Sequence, residues 1–226
     1  MKVIVYILSV YSLSNLTPNK KNFRKTENRI SNFAYKLPYR GKNYKFYGTI
    51  SYHVIGRAYV NNKVHNSIVE SFKISEDNCK NISFRIYSCT KRNFGYLQKS
   101  TEQKNGFSAI LMTPIKKNEK SIKHYYRNWL FSFINNYDKN GKSKYGNKSI
   151  DFNNMAQYII NLDNAARIYN LKIKKIIFNR HFLKQLYASK KGNELKSRNI
   201  YFAKYISKKV NKKYDDLFYI EFEPIK

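Results

Sequence analysis

The side chains able to do chemistry in this chain of 226 residues are few and scattered. Its four histidines, His53, His65, His124 and His181, fall on different expected elements. No two of them make the His-x-His or His-x-x-x-His spacing that sets both imidazoles on one strand or helix face. Each reads as a surface histidine or as one hydrogen-bonded within a core. Cys79 and Cys89 are too few for a disulfide scaffold, and neither has a histidine or second cysteine at metal-ligand spacing. One bridge, or two inert thiols, are the readings open to them. Close carboxylate pairs occur at Asp215-Asp216 and at Glu221 with Glu223. The strand period puts Glu221 and Glu223 on one face, where they would serve either paired acid–base chemistry or charge balance against lysine. The eight glycines fall mostly at turns, and none builds a phosphate-cradling loop.

Charge is the dominant compositional fact. Lys plus Arg number 44 against 14 Asp plus Glu, a formal net charge of +30. Such a chain repels itself unless an anionic partner or counter-ions lie near, and the long-range attraction does not depend on what carries the opposite charge. Nucleic acid, an anionic membrane surface and an envelope polymer bearing phosphates or carboxylates all meet the requirement. Lysine predominates, with ten Arg in the whole chain, and the lysine pairs are spread along its length. Solvated faces account for most of them. Tyr and Phe interleave with the lysines as stacking platforms would, but no nucleic-acid-binding module is marked, so nucleic acid stands second to an envelope polymer.

The elements that would position these groups follow from patterning. Met1-Lys2, the apolar run Val3 to Val10 and Ser12-Leu13-Ser14 outline a secretory signal over residues 1–14, with a buried first strand as the alternative. The run is too short to span a bilayer. Residues 15–32 read as a basic, Asn-rich linker, and 33–226 as a single folded domain. Val60, Val64, Ile68 and Phe72 predict an amphipathic helix that leads into a strand over Ile82 to Tyr87. Phe107 to Met112 predicts another strand. A polar loop of some thirty residues is expected from Lys116 to Asn147, holding Trp129. Asp151 then caps a long helix with Met155, Ala156, Ile159, Ile160, Ala165 and Ala166 on its apolar face. Ile173 to Phe178 reads as a strand, Arg180 to Ser189 as a short helix, and Leu217 to Glu223 as a last strand burying Phe218, Ile220 and Phe222. The sum is an α+β domain with a small, mainly antiparallel sheet and helices packed on one side.

In that order the segments resemble the penicillin-insensitive murein endopeptidase family, over about residues 33 to 224. The resemblance rests on Leu37-Pro38 with Gly41-Lys42-Asn43-Tyr44, on Gly56-Arg57-Ala58-Tyr59-Val60, and on Gln103-Lys-Asn-Gly-Phe-Ser-Ala-Ile-Leu-Met-Thr-Pro114. It continues through Ile150-Asp151-Phe152, Met155-Ala156, Leu162 with Ala165-Ala166, Ile176-Ile177-Phe178 and Tyr214-Asp215-Asp216-Leu217-Phe218-Tyr219-Ile220. It implies a murein endopeptidase-like fold and, in the family, a zinc-dependent cut in the peptide cross-links of peptidoglycan. The family holds zinc with a His and an Asp separated by six residues and with a later His-x-His. The matching positions here are Gln103 and Ile110, then Leu217 and Tyr219.

Those substitutions remove the donors that zinc needs. A catalytic zinc takes three protein ligands from imidazole, thiolate or carboxylate and leaves one position for water. Ile110 and Leu217 have no lone pair, Gln103 offers a weak amide oxygen, and Tyr219 would have to lose a proton of reference pKa about 10. Without the ion, water keeps its high pKa and no hydroxide forms near neutral pH. The resemblance therefore implies a fold kept without its zinc and without hydrolysis. The protein is expected to be exported to the periplasm or cell envelope and to bind peptidoglycan or another anionic envelope polymer, with Leu217 and Tyr219 flooring the former cleft. A hydrolase with a relocated metal site and a basic nucleic-acid-binding protein are the alternatives.

Overall fold

The strongest alternating segment of the chain, from Leu217 onward, forms a strand as expected, and the fold is arranged around it. The computed structural model describes residues 34–47, 57–89, 106–118, 120–121, 137–144, 147–204, 207 and 216–225. The expected signal over 1–14, the linker over 15–32, His53, Gln103, His124, Trp129 and Asp215 lie outside the described residues. In chain order the strands are β1 (Ala34–Lys36), β2 (Tyr44–Phe46), β3 (Tyr59–Asn61), β4 (Phe84–Ser88), β5 (Ser108–Met112), β6 (Ile115–Lys117), β7 (Lys120–Ser121), β8 (Lys148–Ile150), β9 (Leu171–Ile177) and β10 (Leu217–Pro224). The helices are α1 (Asn62–Asn78), α2 (Phe152–Ile168), α3 (Leu183–Ala188) and α4 (Gly192–Ser197), with a 3-10 turn at Arg180–Phe182.

The main sheet has five strands in the order β2-β4-β5-β10-β9. Strand β10 runs antiparallel between β5 and β9, with Phe218 opposite Leu111 and Ile220 opposite both Ala109 and Ile176. At the far edge β2 pairs parallel with β4, so the sheet is mixed. That parallel pair is joined by β3 and α1, the helical crossover such pairs require. On one face Phe84, Ile86, Leu111, Ile176, Phe218, Ile220 and Phe222 form a core with Val64, Ile68 and Phe72 of α1 and Met155, Ile159 and Leu162 of α2. Aromatic rings tie the layers together. Phe72 stacks on Tyr44 at 4.3 Å and lies 5.5 Å from Tyr158, which itself stacks on Phe84 at 4.3 Å.

Both long helices start on side-chain caps. Asn61 accepts from Lys63 N at 3.0 Å, and Asp151 accepts from Asn154 N at 3.1 Å as its position in the sequence predicts. Capping at Asn61 also explains why Val60, expected in the helix, sits in β3 instead, where it pairs with Tyr35 of β1. Helix α1 turns a stripe of serines, Ser67, Ser71 and Ser75, toward the interior, and all three are fully buried. Each hydroxyl is returned to a backbone carbonyl of its own helix at 2.6–2.7 Å. Small side chains let α2 approach closely, and the polar groups left at the seam satisfy one another. Asn161 donates to Ser75 Oγ and to Asn78 Oδ1, both at 2.8 Å, while its own Oδ1 accepts from Gln157 at 3.0 Å.

One expectation is corrected and others gain detail. The stretch from Lys116 to Asn147 is not a structureless loop in its described parts: β6 pairs with both β7 and β8 in a second sheet of order β7-β6-β8. Asn118, in the left-handed region at φ 49°, turns the chain out of β6. The segment after Arg180 divides into the 3-10 turn, α3 and a further helix, α4. Residues 189–191 separate α3 from α4, and α4 opens on Gly192, where a Cβ would meet Tyr187 O at 2.1 Å. Arg198, just past α4, and Arg167 of α2 both reach the buried carboxylate of Asp163, at 3.0 and 3.1 Å. The short strands β1, β2 and β3 add to the elements that patterning shows.

Cys79 and Cys89 are free and buried. Burial, with the charge of Asp151 adding to it, pushes the Cys79 thiol up to about 12, and burial pushes Cys89 up as well. Of the two readings open to them, inert thiols is the one observed. Among the described residues no helix is long and apolar enough to cross a membrane.

The helix seam gives a stability prediction. Asn161→Ala leaves Gln157, Ser75 and Asn78 short of partners in the interior and is expected to cost about 2–3 kcal/mol. Asn193→Ala on the exposed side of α4 should stay within about 0.5 kcal/mol. Urea unfolding of the two variants checks the difference.

Candidate functional site

Because strand side chains alternate, the residues of β10 that do not enter the main core must face the other side of the sheet. They meet a second, smaller apolar cluster there. Ile110 and Met112 of β5 join Leu217 and Tyr219 of β10, with Tyr47, Tyr87 and Ile177 packed at the margin. Register makes the grouping strict: Tyr219 stands opposite Ile110 on one side and Ile177 on the other, and Leu217 stands opposite Met112. Tyr47, which donates its backbone N–H to Ile86 O, brings its ring to 5.6 Å from Tyr87. Tyrosine and isoleucine thus run crosswise over the sheet from Tyr47 through Tyr87, Ile110 and Tyr219 to Ile177.

Three of the four positions singled out in the sequence are therefore neighbours. Ile110, Leu217 and Tyr219 converge on adjacent strands, while Gln103 lies outside the described residues. The expectation that Leu217 and Tyr219 floor a cleft is corrected, because they, with Ile110 and Met112, are only 2–7% exposed. They form a packed cluster, and only the marginal Tyr47, Tyr87 and Ile177 are half-buried. As a zinc site the set does not fit: two aliphatic side chains, a thioether and a phenol supply no imidazole, thiolate or carboxylate. His65 lies on α1 with Nδ1 3.0 Å from Asn66 Oδ1, and exposed His181 lies in the 3-10 turn. Among the described residues no three His, Cys, Asp or Glu side chains come together to hold a metal ion.

One end of this face is ionic. Glu221 pairs across the sheet with Ser108 and with Lys175, and the register then slips so that Phe222 faces Ile173. The slip leaves Lys174 as an extra residue in β9, a bulge that sets two lysines against one carboxylate. Lys174 Nζ donates to Oε1 at 2.6 Å and Lys175 Nζ lies 3.1 Å from Oε2. Glu223 takes Lys172 at 3.1 Å. Charge balance is what the Glu221 and Glu223 pair does here. Burial alone would raise the Glu221 carboxyl, but the hydrogen bond from Lys174 and the close ammonium of Lys175 outweigh it and hold the group below the ordinary carboxylate range.

Patterning missed Tyr47, Tyr87, Met112 and Ile177. The signal for Tyr87 was present in the alternation of Phe84 and Ile86 with Arg85 and Tyr87. Tyr47 follows a strand of three residues, too short to show a period. The chain matches no protein-family model and no curated protein.

Since the folded pKa of Glu221 lies below its unfolded value, its contribution to stability is present above the unfolded value and is lost as pH falls through the folded one. Glu221→Gln is expected to lower stability at neutral pH and to shallow the acid limb below about pH 4. Denaturant melts of both proteins from pH 7 to pH 2 measure it. Parallel curves at every pH would show that the two lysines contribute nothing through this carboxylate.

Proposed function

We propose that this chain is a non-catalytic homologue of the penicillin-insensitive murein endopeptidases that binds a cell-wall or other anionic envelope polymer in the periplasm or cell envelope. What supports this most is the pairing of Ile110 with Tyr219, with Leu217 two residues along on the same face. The resemblance picks out these positions from separate parts of the chain, and residues that once shared an ion must be neighbours in space. Directly opposed residues on adjacent strands have Cβ atoms about 4.5–5.5 Å apart, close enough to ligate one ion when they carry donors. Here they carry packing side chains that offer a metal no imidazole, thiolate or carboxylate, which supports a protein that binds without cutting.

A zinc peptidase needs the ion to polarise the scissile carbonyl and to make hydroxide from water near neutral pH. Among the described residues of this face none supplies either function. Attraction to an anionic polymer is supplied by the charge of +30, which raises the local concentration of any polyanion at modest salt.

Restoring the donors tests the kept frame. The fourfold variant Gln103→His, Ile110→Asp, Leu217→His and Tyr219→His is expected to bind one zinc per chain and to melt higher with zinc than with a chelator. A folded variant that takes up no zinc would sink the homology. The unaltered protein is expected to sediment with purified sacculi in a salt-sensitive manner and to release no cross-link fragments. Chelator-sensitive release would instead establish an active hydrolase.

A further inference from the structure

The second sheet, β7-β6-β8, gathers lysine with unusual regularity. Lys117 of β6 stands opposite Lys120 of β7 on one side and Lys148 of β8 on the other, so three lysines lie abreast in one row. The neighbouring row places Lys116 between Ser121 and Ser149, and Lys142 bridges to Ser149 beyond them. Like charges directly opposite one another destabilise a sheet, and an anion laid along such a row would offset that cost. From Ile115 to Ile150 the sequence has nine Lys and Arg against Glu119 and Asp138.

The described carboxylates near this ribbon bond to groups other than its lysine ammoniums. Asp138 accepts from the backbone N–H groups of Asn140 and Lys142. Asp151 accepts from Ser121 Oγ at 2.6 Å and from Asn154 Nδ2 at 2.7 Å. Among the described residues, Lys80, Lys117 and Lys120 have no ion pair. Lys42, Lys73, Lys172, Lys174, Lys175 and Lys191 each have a glutamate. An open cleft of about 450 Å³ adjoins the row, lined by Lys80, Asn81, Lys120 and Ser121.

We infer that this ribbon and its cleft hold successive phosphate groups of a linear envelope polymer, with Lys117, Lys120 and Lys148 along the row and Lys80 across the cleft. The inference rests on the proposed polymer binding and deepens it, by naming the surface and the group that carries the charge. Phosphate is favoured over carboxylate because the named cationic groups are all lysine. Planar carboxylates are matched by the fork of arginine, whereas an ammonium acts as a point charge toward a tetrahedral phosphate. Flexible lysine stems on strands spaced about 4.8 Å apart can follow charges repeating along a chain.

The test uses the full chain with inorganic polyphosphate, polyglutamate of matched charge, oligouridylate and purified sacculi, over a range of salt. Lys117→Glu with Lys120→Glu is compared with Lys184→Glu plus Lys190→Glu, which makes the same change in net charge on exposed residues around α3. The ribbon double is expected to weaken polyphosphate binding at least about tenfold and to flatten the salt dependence by roughly two counter-ions. The α3 double should change affinity by less than about threefold, as expected when charge acts only through the overall field. Equal losses in both doubles, or polyglutamate bound as tightly as polyphosphate, would overturn the site. Oligouridylate bound far more tightly than polyphosphate would overturn the envelope partner. If the ribbon double, still folded by circular dichroism, stays on sacculi as the unaltered chain does, the ribbon assignment fails alone. If the unaltered chain is retained on neither sacculi nor polyphosphate, polymer binding falls with it.

Discussion

Strand β10 has a hydrogen-bonded neighbour on each side, and its residues from Leu217 to Phe222 are all buried. A slip of one residue in its register would carry Phe218, Ile220 and Phe222 out of the core and drive Glu221 into it. Everything else in the domain is fitted to that phase. The helices α1 and α2 cover the face where the phenylalanines point, and Tyr219 and Leu217 define the face opposite. The bulge at Lys174 fits the same constraint, since it lets Glu221 stay with its lysines while Phe222 remains in phase with the core.

The molecule thus uses two kinds of burial. One face of the sheet is a continuous apolar layer stitched by stacked rings, worth most of the stabilisation because it removes the most apolar surface from water. The interface between α1 and α2 is different, since serine, asparagine and glutamine sit inside it. Their hydrogen bonds add little net energy, yet leaving any one unmade is expensive, so the seam selects one alignment of the two helices. The surface carries the excess of lysine, and glutamates of α1, β10 and α4 are each matched to particular lysines.

Long periodic segments were legible in the sequence. Asp151 and the apolar stripe behind it marked α2, and alternation from Leu217 assigned both faces of β10. The adjacency of Ile110 with Tyr219 was not legible, since register is invisible to periodicity. Short strands were not legible. Three residues cannot show a period of two, and β6, β7 and β8 are polar, so Lys116 to Asn147 carried the composition of a loop. The turn residue Asn118, which takes a left-handed conformation between two lysine-bearing strands, was the local clue to the hairpin. Val60 misled because it stands one turn before Val64 while the backbone there is already committed to pairing with β1.

The central place of β10 also bears on how the chain is made. Strands β5 and β9 are both synthesised before the strand that joins them, so for a time each has an unpaired edge and an uncovered apolar flank. During that interval the nascent chain can pair with a foreign strand as readily as with its own. Repulsion among so many ammonium groups then acts as a guard, keeping half-built copies apart until the missing strand arrives.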